Sequence, residues 1–305
     1  QSVMSTISCS LSDATQRQYR SSFNQWNTYC RKTGTDPYDI SPIQVISFFQ
    51  HLHDSKSLTF HSFVAHRAAL SLVSAHNLSE SSLITQFMRG LFRRRPPAPK
   101  HNFSWNPETV LTYLESYNPD SLLEFSKKLL TVLLLSSGQR LQTMAAIQVS
   151  DIHFSDQGVT IWINSLLKTS RPGSKSLSLC LASLPSRPNL CVPSLLRKFL
   201  AMSSNIRPPV ENSLFIISTS PYTAASTPTL ARWTKDVLRG AGIDVSRFTA
   251  HSTRHSAVSA AARGGLSTDA IFRAAGWTSS SEVFARVYNR PIQDPFQFSR
   301  VVLSS

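Results

Sequence analysis

The sequence has few acidic residues, few cysteines and no long apolar run. Its 305 residues include 17 Asp and Glu against 31 Lys and Arg, and only four cysteines. The cysteines lack the paired spacing of a metal site, which favours a reduced intracellular protein over a disulfide scaffold. The longest apolar run, LLTVLLL at 129–135, is far shorter than the roughly 20 residues of a membrane-spanning helix. We therefore expect no membrane partner.

Familiar nucleotide-binding and metal-binding patterns are also missing. The chain contains no GxxxxGK[ST] loop, no GxGxxG after a strand, no HExxH and no CxxC pair. A metal-dependent nuclease needs clustered carboxylates, which an acid-poor chain supplies badly. His251 and His255 stand four residues apart and could bind zinc, but no third ligand is in view. We expect neither a metal nor a cofactor.

What the chain has in excess is positive charge. The formal net charge is +14, and residues 1–105 alone carry 11 basic and 5 acidic side chains, so the excess is not confined to a tail. Such a chain favours a polyanionic partner, with nucleic acid first and an acidic membrane surface second. A basic protein without such a partner remains the alternative.

Residues 1–94 are predicted to form a helical domain. Its first helix starts with a cap at Ser12 or Asp13, stops at Gly34, and carries an aromatic stripe that favours a core over a base-stacking surface. RRRPPAPKHNFSW (93–105) breaks the helical pattern, which indicates a basic, proline-rich linker at 95–105. A second domain follows at 106–290, then a tail at 291–305.

The second domain is predicted to be mixed. VTIWI and SLSLCL surround a Pro-Gly turn and predict a hairpin, while helical patterns precede and follow it. The predicted fold class is therefore mainly α with a small antiparallel sheet.

A sparse set of residues in this domain suits phosphodiester chemistry. Arg140 follows a glycine at the end of the most apolar helix, where a charge must reach solvent or bind an anion. His251 and Arg254 stand one turn apart at a helix start, where backbone N–H groups also favour anions. Two arginines can hold phosphate oxygens as Mg²⁺ does elsewhere, and a tyrosine hydroxyl can store the bond energy covalently. The ordered set is Arg140, Lys168, His251, Arg254, Trp277 and Tyr288.

This ordered set, with SSGQR…VSDI and TAHSTRHSAVSAAARGG, resembles the tyrosine recombinase (phage integrase) family over nearly the whole chain. The resemblance implies that Tyr288 attacks the scissile phosphate and becomes linked to the 3′ end of the cut strand. Arg140 and Arg254 would hold the non-bridging oxygens. Lys168 would protonate the leaving 5′-hydroxyl and His251 would assist proton transfer, while Trp277 would donate its indole N–H where many members have histidine.

The resemblance also implies partners. Residues 1–94 would be a core DNA-binding domain and 106–290 the catalytic domain, which together clamp double-stranded DNA. Four protomers would pair two DNA sites, with the tail at 291–305 docked on a neighbour. The predicted DNA-contacting side chains are Arg93, Arg94, Arg95, Lys100, Arg171 and Lys175. The hairpin LLKTSRPG and the GW…Y ending look closest to the DIRS-like and Crypton recombinases of eukaryotic mobile elements, which would imply a nuclear location.

Three departures from the family pattern qualify the roles. Thr143 replaces the acidic residue usually found three positions after the first arginine, and Trp277 and Tyr288 are eleven apart, about two more than usual. Lys175 lies on the same hairpin as Lys168 and is the alternative general acid. Thr143 and His255 are predicted to support the catalytic groups rather than to react.

Two rival functions stay open. One is a DNA-binding regulator with the same fold and no strand exchange, and the other is a type IB topoisomerase.

Overall fold

The structure is a computed structural model that describes residues 10–96, 103–167, 170, 176–276 and 303. The chain divides into two compact units, Gln1–Pro99 and Lys100–Ser305. Most of the described residues are helical, and the strands form one small antiparallel sheet, so the predicted fold class is confirmed. Within the described ranges, every helix is too short or too polar to traverse a lipid bilayer.

The described residues of the first unit form four helices: α1 (Asp13–Thr33), α2 (Pro42–Ser55), α3 (Phe60–Ser71) and α4 (Ser82–Arg94). The Ser12 side chain accepts a hydrogen bond from the Thr15 N–H and caps α1, which decides between the two predicted caps. Gly34 ends α1 with a positive φ of 71°, a conformation that glycine adopts without a Cβ penalty. Local sequence therefore sets both ends of this helix.

The aromatic stripe of α1 is core, as predicted. Trp26 is 2% exposed and meets the Phe48 ring edge-on, with ring centroids 5.3 Å apart. Tyr29 is buried beside it, and the Trp26 Nε1–H donates to the Pro37 carbonyl at 2.9 Å, so the indole's one donor is satisfied. Rings buried in this way cannot stack on nucleic-acid bases.

The second unit is built around one apolar helix. Its elements before the sheet are α5 (Pro107–Ser116), α6 (Leu122–Ser137) and α7 (Leu141–Ala145). The sheet contains β1 (Ile152–Ser155), β2 (Gly158–Ile163) and β3 (Leu177–Ala182), and the helices α8 (Val192–Ser203), α9 (Thr227–Gly240), α10 (Ser252–Arg263) and α11 (Thr268–Ala275) follow. Helix α6 packs against α8, α9 and α10, which explains why its apolar residues cover most of its circumference.

The sheet is larger than the predicted hairpin. Strands β2 and β3 pair antiparallel, as predicted, with Ile161 opposite Leu179. Strand β1 pairs with the other edge of β2 and was missed, because its alternation of apolar and polar residues extends over only four residues. The predicted Pro-Gly turn at 172–173 lies outside the described residues.

Candidate active site

The turn between α6 and α7, residues 138–140, is where the predicted first arginine lies. Gly138 ends α6 with a φ of 61°, and a Cβ there would lie 3.2 Å from Val258 Cγ2 on α10, so glycine also permits a close approach between helices. Arg140 stands immediately before α7 and is partly exposed. Its carbonyl accepts the Thr143 N–H at 2.9 Å, which fixes the backbone beneath the guanidinium.

The second predicted arginine reaches this same turn. Arg254, in the first turn of α10, is 0% exposed, and its Nη1 donates to the Gly138 carbonyl at 2.6 Å. A guanidinium keeps its charge in proteins, and burying a charge is costly unless hydrogen bonds compensate. Arg254 is therefore a positive charge held in a fixed position. The residue whose carbonyl it contacts, Gly138, lies two positions before Arg140 in the sequence.

The predicted histidine stands at the start of the same helix. His251 occupies the N-cap position of α10 and is exposed, while Arg254 lies one turn below it. The His255 ring meets the His251 ring edge-on, with centroids 5.4 Å apart and planes at 86°. His255 thus contacts His251 from one turn further along, as a supporting residue would. Across the part of the chain that the structure describes, no three His, Cys, Asp or Glu side chains cluster around a metal position.

The end of the predicted linker packs on this helix. Trp105 is 6% exposed, and its Nε1–H donates to the Ser252 hydroxyl at 2.9 Å. The Ser256 hydroxyl donates to the Trp105 carbonyl at 2.8 Å, so one residue contacts two successive turns of α10. Residue 105 was assigned to the linker from its sequence, but in the structure it is a buried part of the second unit.

The C-terminal end of helix α11 packs against the 138–140 turn. The side-chain amide of Gln139 donates to the Ala274 carbonyl at 2.7 Å, and Gly276 ends α11 with a φ of 69°. A Cβ at Gly276 would lie 3.8 Å from both Gln139 Nε2 and Leu177 Cδ1, so the start of β3 also reaches this place. The structure thus brings together the turn of Arg140, the start of α10, the end of α11 and one end of the 164–176 segment. Sequence reasoning missed Gln139 because a lone glutamine carries no motif.

Several predicted site residues lie outside the described residues, and so does nearly all of the 291–305 tail. These residues are Lys100, Lys168, Arg171, Lys175, Trp277 and Tyr288. Thr143 is described and buried, and its hydroxyl donates to Gln139 Oε1 at 3.4 Å. The side chain that replaces the family's acidic residue therefore contacts the neighbour of Arg140.

Of the predicted DNA-contacting arginines, Arg93 and Arg94 are exposed in the last turn of α4. Arg95 follows the helix, and its guanidinium donates to the carbonyls of Lys56 and His53 at 3.2 and 3.3 Å. It thereby closes the C-terminal end of α2, an interaction that the basic run did not predict.

Sequence reasoning also missed a basic cleft in the first unit. A cavity of about 460 Å³ is lined by α1 and by residues at the end of α2, and its basic lining residues are Arg17, Arg20, Lys32, His51 and Lys56. Positions 17, 21, 24, 28 and 32 recur at helical spacing on the polar side of α1. The signal was therefore present in the sequence, as the face opposite the aromatic stripe.

Comparison with known proteins agrees with this architecture. An integrase/recombinase XerD homolog of Selenomonas ruminantium is 20% identical over 269 residues, which cover 87% of this chain and 78% of that protein. Among solved structures, the XerH site-specific recombinase bound to palindromic difH substrate has a TM-score of 0.65 at 17% identity, covering 94% of this chain and 77% of that one. The Tn1549 transposon integrase with circular intermediate DNA has a TM-score of 0.58 at 12% identity, covering 92% and 98%.

The family assignment itself comes from the second unit. The sequence model of the phage integrase family matches residues 107–293. This match covers more than half of the chain and includes Arg140, His251 and Arg254. The chain therefore belongs to the phage integrase family and is a tyrosine site-specific recombinase.

Proposed function

We propose that this protein cleaves, exchanges and rejoins DNA strands through a covalent 3′-phosphotyrosyl intermediate on Tyr288. Membership of the phage integrase family supports site-specific cleavage and rejoining of DNA. One observation carries the finer proposal: the buried Arg254 guanidinium donates to Gly138, in the turn of Arg140, one helical turn from the exposed His251. Three groups suited to a phosphodiester are thus supported by one turn and one helix.

The reaction follows from the properties of a phosphodiester. The Tyr288 oxygen attacks phosphorus as the bond to the 5′-oxygen breaks; His251 assists removal of the tyrosine proton, and Lys168, or Lys175, protonates the leaving oxygen. Arg140 and Arg254 stabilise the added negative charge on the non-bridging oxygens, with the indole N–H of Trp277 as a further donor. A free 5′-hydroxyl from another strand then attacks the phosphotyrosine and restores a phosphodiester, so no external energy source is consumed.

A fixed guanidinium suits this role better than an exposed one. Arg254 is 0% exposed and hydrogen-bonded to backbone, so little reorganisation is needed when charge develops on the phosphate. His251, by contrast, is exposed at the helix start, where a proton carrier must reach its substrate. The fixed position of Arg254 and the exposure of His251 support the roles proposed for them.

The first unit is proposed to hold the DNA. Arg17, Arg20, Lys32 and Lys56 line one cleft, and clustered cations of this kind neutralise backbone phosphates. Arg93 and Arg94 are further exposed cations, in the last turn of α4, and Arg95, Lys100, Arg171 and Lys175 remain predicted contacts.

We extend the proposal to the assembly and the natural substrate. Exchange between two duplexes requires one nucleophile for each of four cut strands, which favours a homotetramer on two paired sites, with the tail at 291–305 docked on a neighbour. The fold is shared with a transposon integrase, which supports integration or excision of a mobile element. The DIRS-like or Crypton assignment and a nuclear location rest on the hairpin and GW…Y patterns alone. The mass of the complex formed on DNA tests the tetramer.

The decisive experiment is covalent trapping. DNA duplexes that the protein enriches from a random pool are nicked near the bound site, so that the short cut strand diffuses away and rejoining fails. We expect a DNA adduct that resists SDS, with phosphotyrosine mapped to residue 288, and its loss in Tyr288→Phe. Tyr38→Phe is the matched control, because Tyr38 is 90% exposed in the first unit.

Each rival predicts a different outcome. Tight, salt-sensitive binding with no adduct would favour the catalytically silent DNA-binding regulator. Relaxation of any supercoiled plasmid by a monomer would favour the type IB topoisomerase.

A further inference from the structure

The Gln139 side chain, in the 138–140 turn, contacts both α7 and α11. It is 2% exposed, its Nε2 donates to the Ala274 carbonyl at 2.7 Å, and its Oε1 accepts the Thr143 hydroxyl at 3.4 Å. Resting on the function proposed above, we propose that Gln139 is a positioning residue, which holds the turn of Arg140 at a fixed separation from Gly276 at the end of α11. It acts through its neighbours and does not touch the substrate.

The chemistry of this position requires an amide. The Ala274 carbonyl lies in the last turn of α11, where carbonyls have no partner further along the helix and need an external donor. The Thr143 hydroxyl, on the other side, needs an acceptor. A glutamine side chain both donates and accepts without carrying charge, and it is long enough to span from one helix to the other.

The position of Gln139 in the chain couples both arginines to this interaction. Its preceding residue, Gly138, supplies the carbonyl that accepts from Arg254, and its following residue is Arg140. A displacement of residue 139 therefore moves the anchor of one arginine and the backbone of the other. On the α11 side, the Ala274 carbonyl stands two residues before Gly276, whose positive φ ends the helix.

Thr143 gives this arrangement a feature specific to the chain. The family pattern has an acidic residue at this position, and here the uncharged Gln139–Thr143 pair occupies the place. A carboxylate at position 143 would accept a hydrogen bond instead of donating one, and would therefore draw Nε2 of Gln139 away from Ala274. We expect Thr143→Asp to impair the protein, although it restores the family residue.

The test compares rates of cleavage in single-turnover reactions at saturating protein. Gln139→Met keeps the length and removes both hydrogen bonds, whereas Gln139→Glu keeps only the acceptor. For both we expect adduct formation to slow by about 10- to 100-fold, the effect typical of a roughly 1 Å misplacement of reacting groups, with DNA affinity within about twofold of wild type. Gln142→Met, on the exposed side of α7, is the matched control and should react normally.

Two further measurements separate positioning from loss of folded protein. With the trapping duplex in excess over protein, unfolding lowers the amplitude of adduct formation, while mispositioning lowers the rate constant and leaves the amplitude full. A duplex with a neutral methylphosphonate at the scissile position removes the charge that the arginines stabilise. The defect of Gln139→Glu should therefore shrink several-fold on that duplex if Gln139 acts through the arginines.

The outcomes are distinct from those of the proposed function. If wild-type protein forms no adduct on any bound duplex, the proposed function fails, and this inference with it. If wild type forms the adduct and both Gln139 variants match its rate, the positioning role alone is overturned. Because removing both hydrogen bonds of a buried amide can unfold a domain, Thr143→Val is measured in parallel. A slower rate at full amplitude supports the role, and a wild-type rate in both Thr143→Val and Thr143→Asp overturns it.

Discussion

Helices α1 and α10 differ in where they place their polar residues, because α1 exposes them to solvent and α10 buries them. Helix α1 buries Trp26 and Tyr29 and leaves Arg17, Arg20 and Lys32 on its exposed side. Helix α10 does the reverse, because its buried residues are mostly polar or charged: Ser252, Thr253, Arg254, Ser256 and Ser259, with Val258 the apolar exception. A basic binding surface needs only charges that water already solvates, whereas a fixed active-site charge has to be buried and supplied with partners.

The contrast has an energetic consequence. An exposed lysine or arginine changes the folding free energy little when it is replaced, but it changes affinity for a polyanion. A buried polar group is costly to disturb, because the partner that remains loses its hydrogen bond without gaining water. Substitutions in α1 and α10 should therefore separate binding from chemistry.

The largest effect is expected at Arg254. In Arg254→Lys the charge remains but the planar fork, which places Nη1 on the Gly138 carbonyl and can hold two phosphate oxygens, is lost. Adduct formation should therefore slow by about 10²- to 10³-fold, as for the removal of one transition-state donor. Single-turnover cleavage at saturating protein measures this. Arg263→Lys, in the exposed last turn of α10, is the control and should retain the wild-type rate. A wild-type rate in Arg254→Lys would contradict the expectation that substitutions in α10 affect cleavage whereas those in α1 affect binding.

An intermediate effect is expected on the other side of the comparison. Replacing Arg17, Arg20 and Lys32 together with Ala should weaken DNA binding. The slope of log affinity against log salt should become shallower by about 0.9 for each DNA phosphate that the variant no longer neutralises. The cleavage rate at saturating protein should stay unchanged, because none of these residues belongs to the second unit.

Salt titration of binding and single-turnover cleavage measure the two quantities separately. Arg31→Ala is the matched control, since Arg31 lines a different cavity of the same helix. A slower rate at saturation with unchanged affinity would show that the α1 face is not a simple binding surface.

The smallest effect is expected at Trp105. In Trp105→Phe an aromatic ring is kept but the donor to the Ser252 hydroxyl is removed, so the free energy of unfolding should fall by about 1–2 kcal/mol. Denaturant unfolding followed by circular dichroism measures the change. Trp162→Phe is the control, because Trp162 is 43% exposed on β2 and its replacement should cost no more than about 0.5 kcal/mol. Equal decreases in the two variants would remove Trp105 as a support of α10.

Sequence predicted more of the first unit than of the site. The cap at Ser12, Gly34 at the helix end and the buried stripe of α1 all follow from local rules, and the structure has them where expected. Strand β1 escaped because four residues are too few for a clear periodicity, and the hydrogen bonds from the Arg95 guanidinium to the carbonyls of Lys56 and His53 were not predicted. Such interactions join residues about 40 positions apart and leave no local pattern.

The family, the order of the candidate catalytic residues and the positive charge of both halves follow from residue type and spacing along the chain, so the amino-acid sequence is enough to derive them. The burial of Arg254 against Gly138, the exposure of His251 and the support that Trp105 and Gln139 give to the surrounding helices arise only when the chain folds. The physical reason is that burial and hydrogen-bond partners are properties of the packed chain: Arg254 meets its acceptor across 116 residues, a separation over which helical and strand periodicity carries no information.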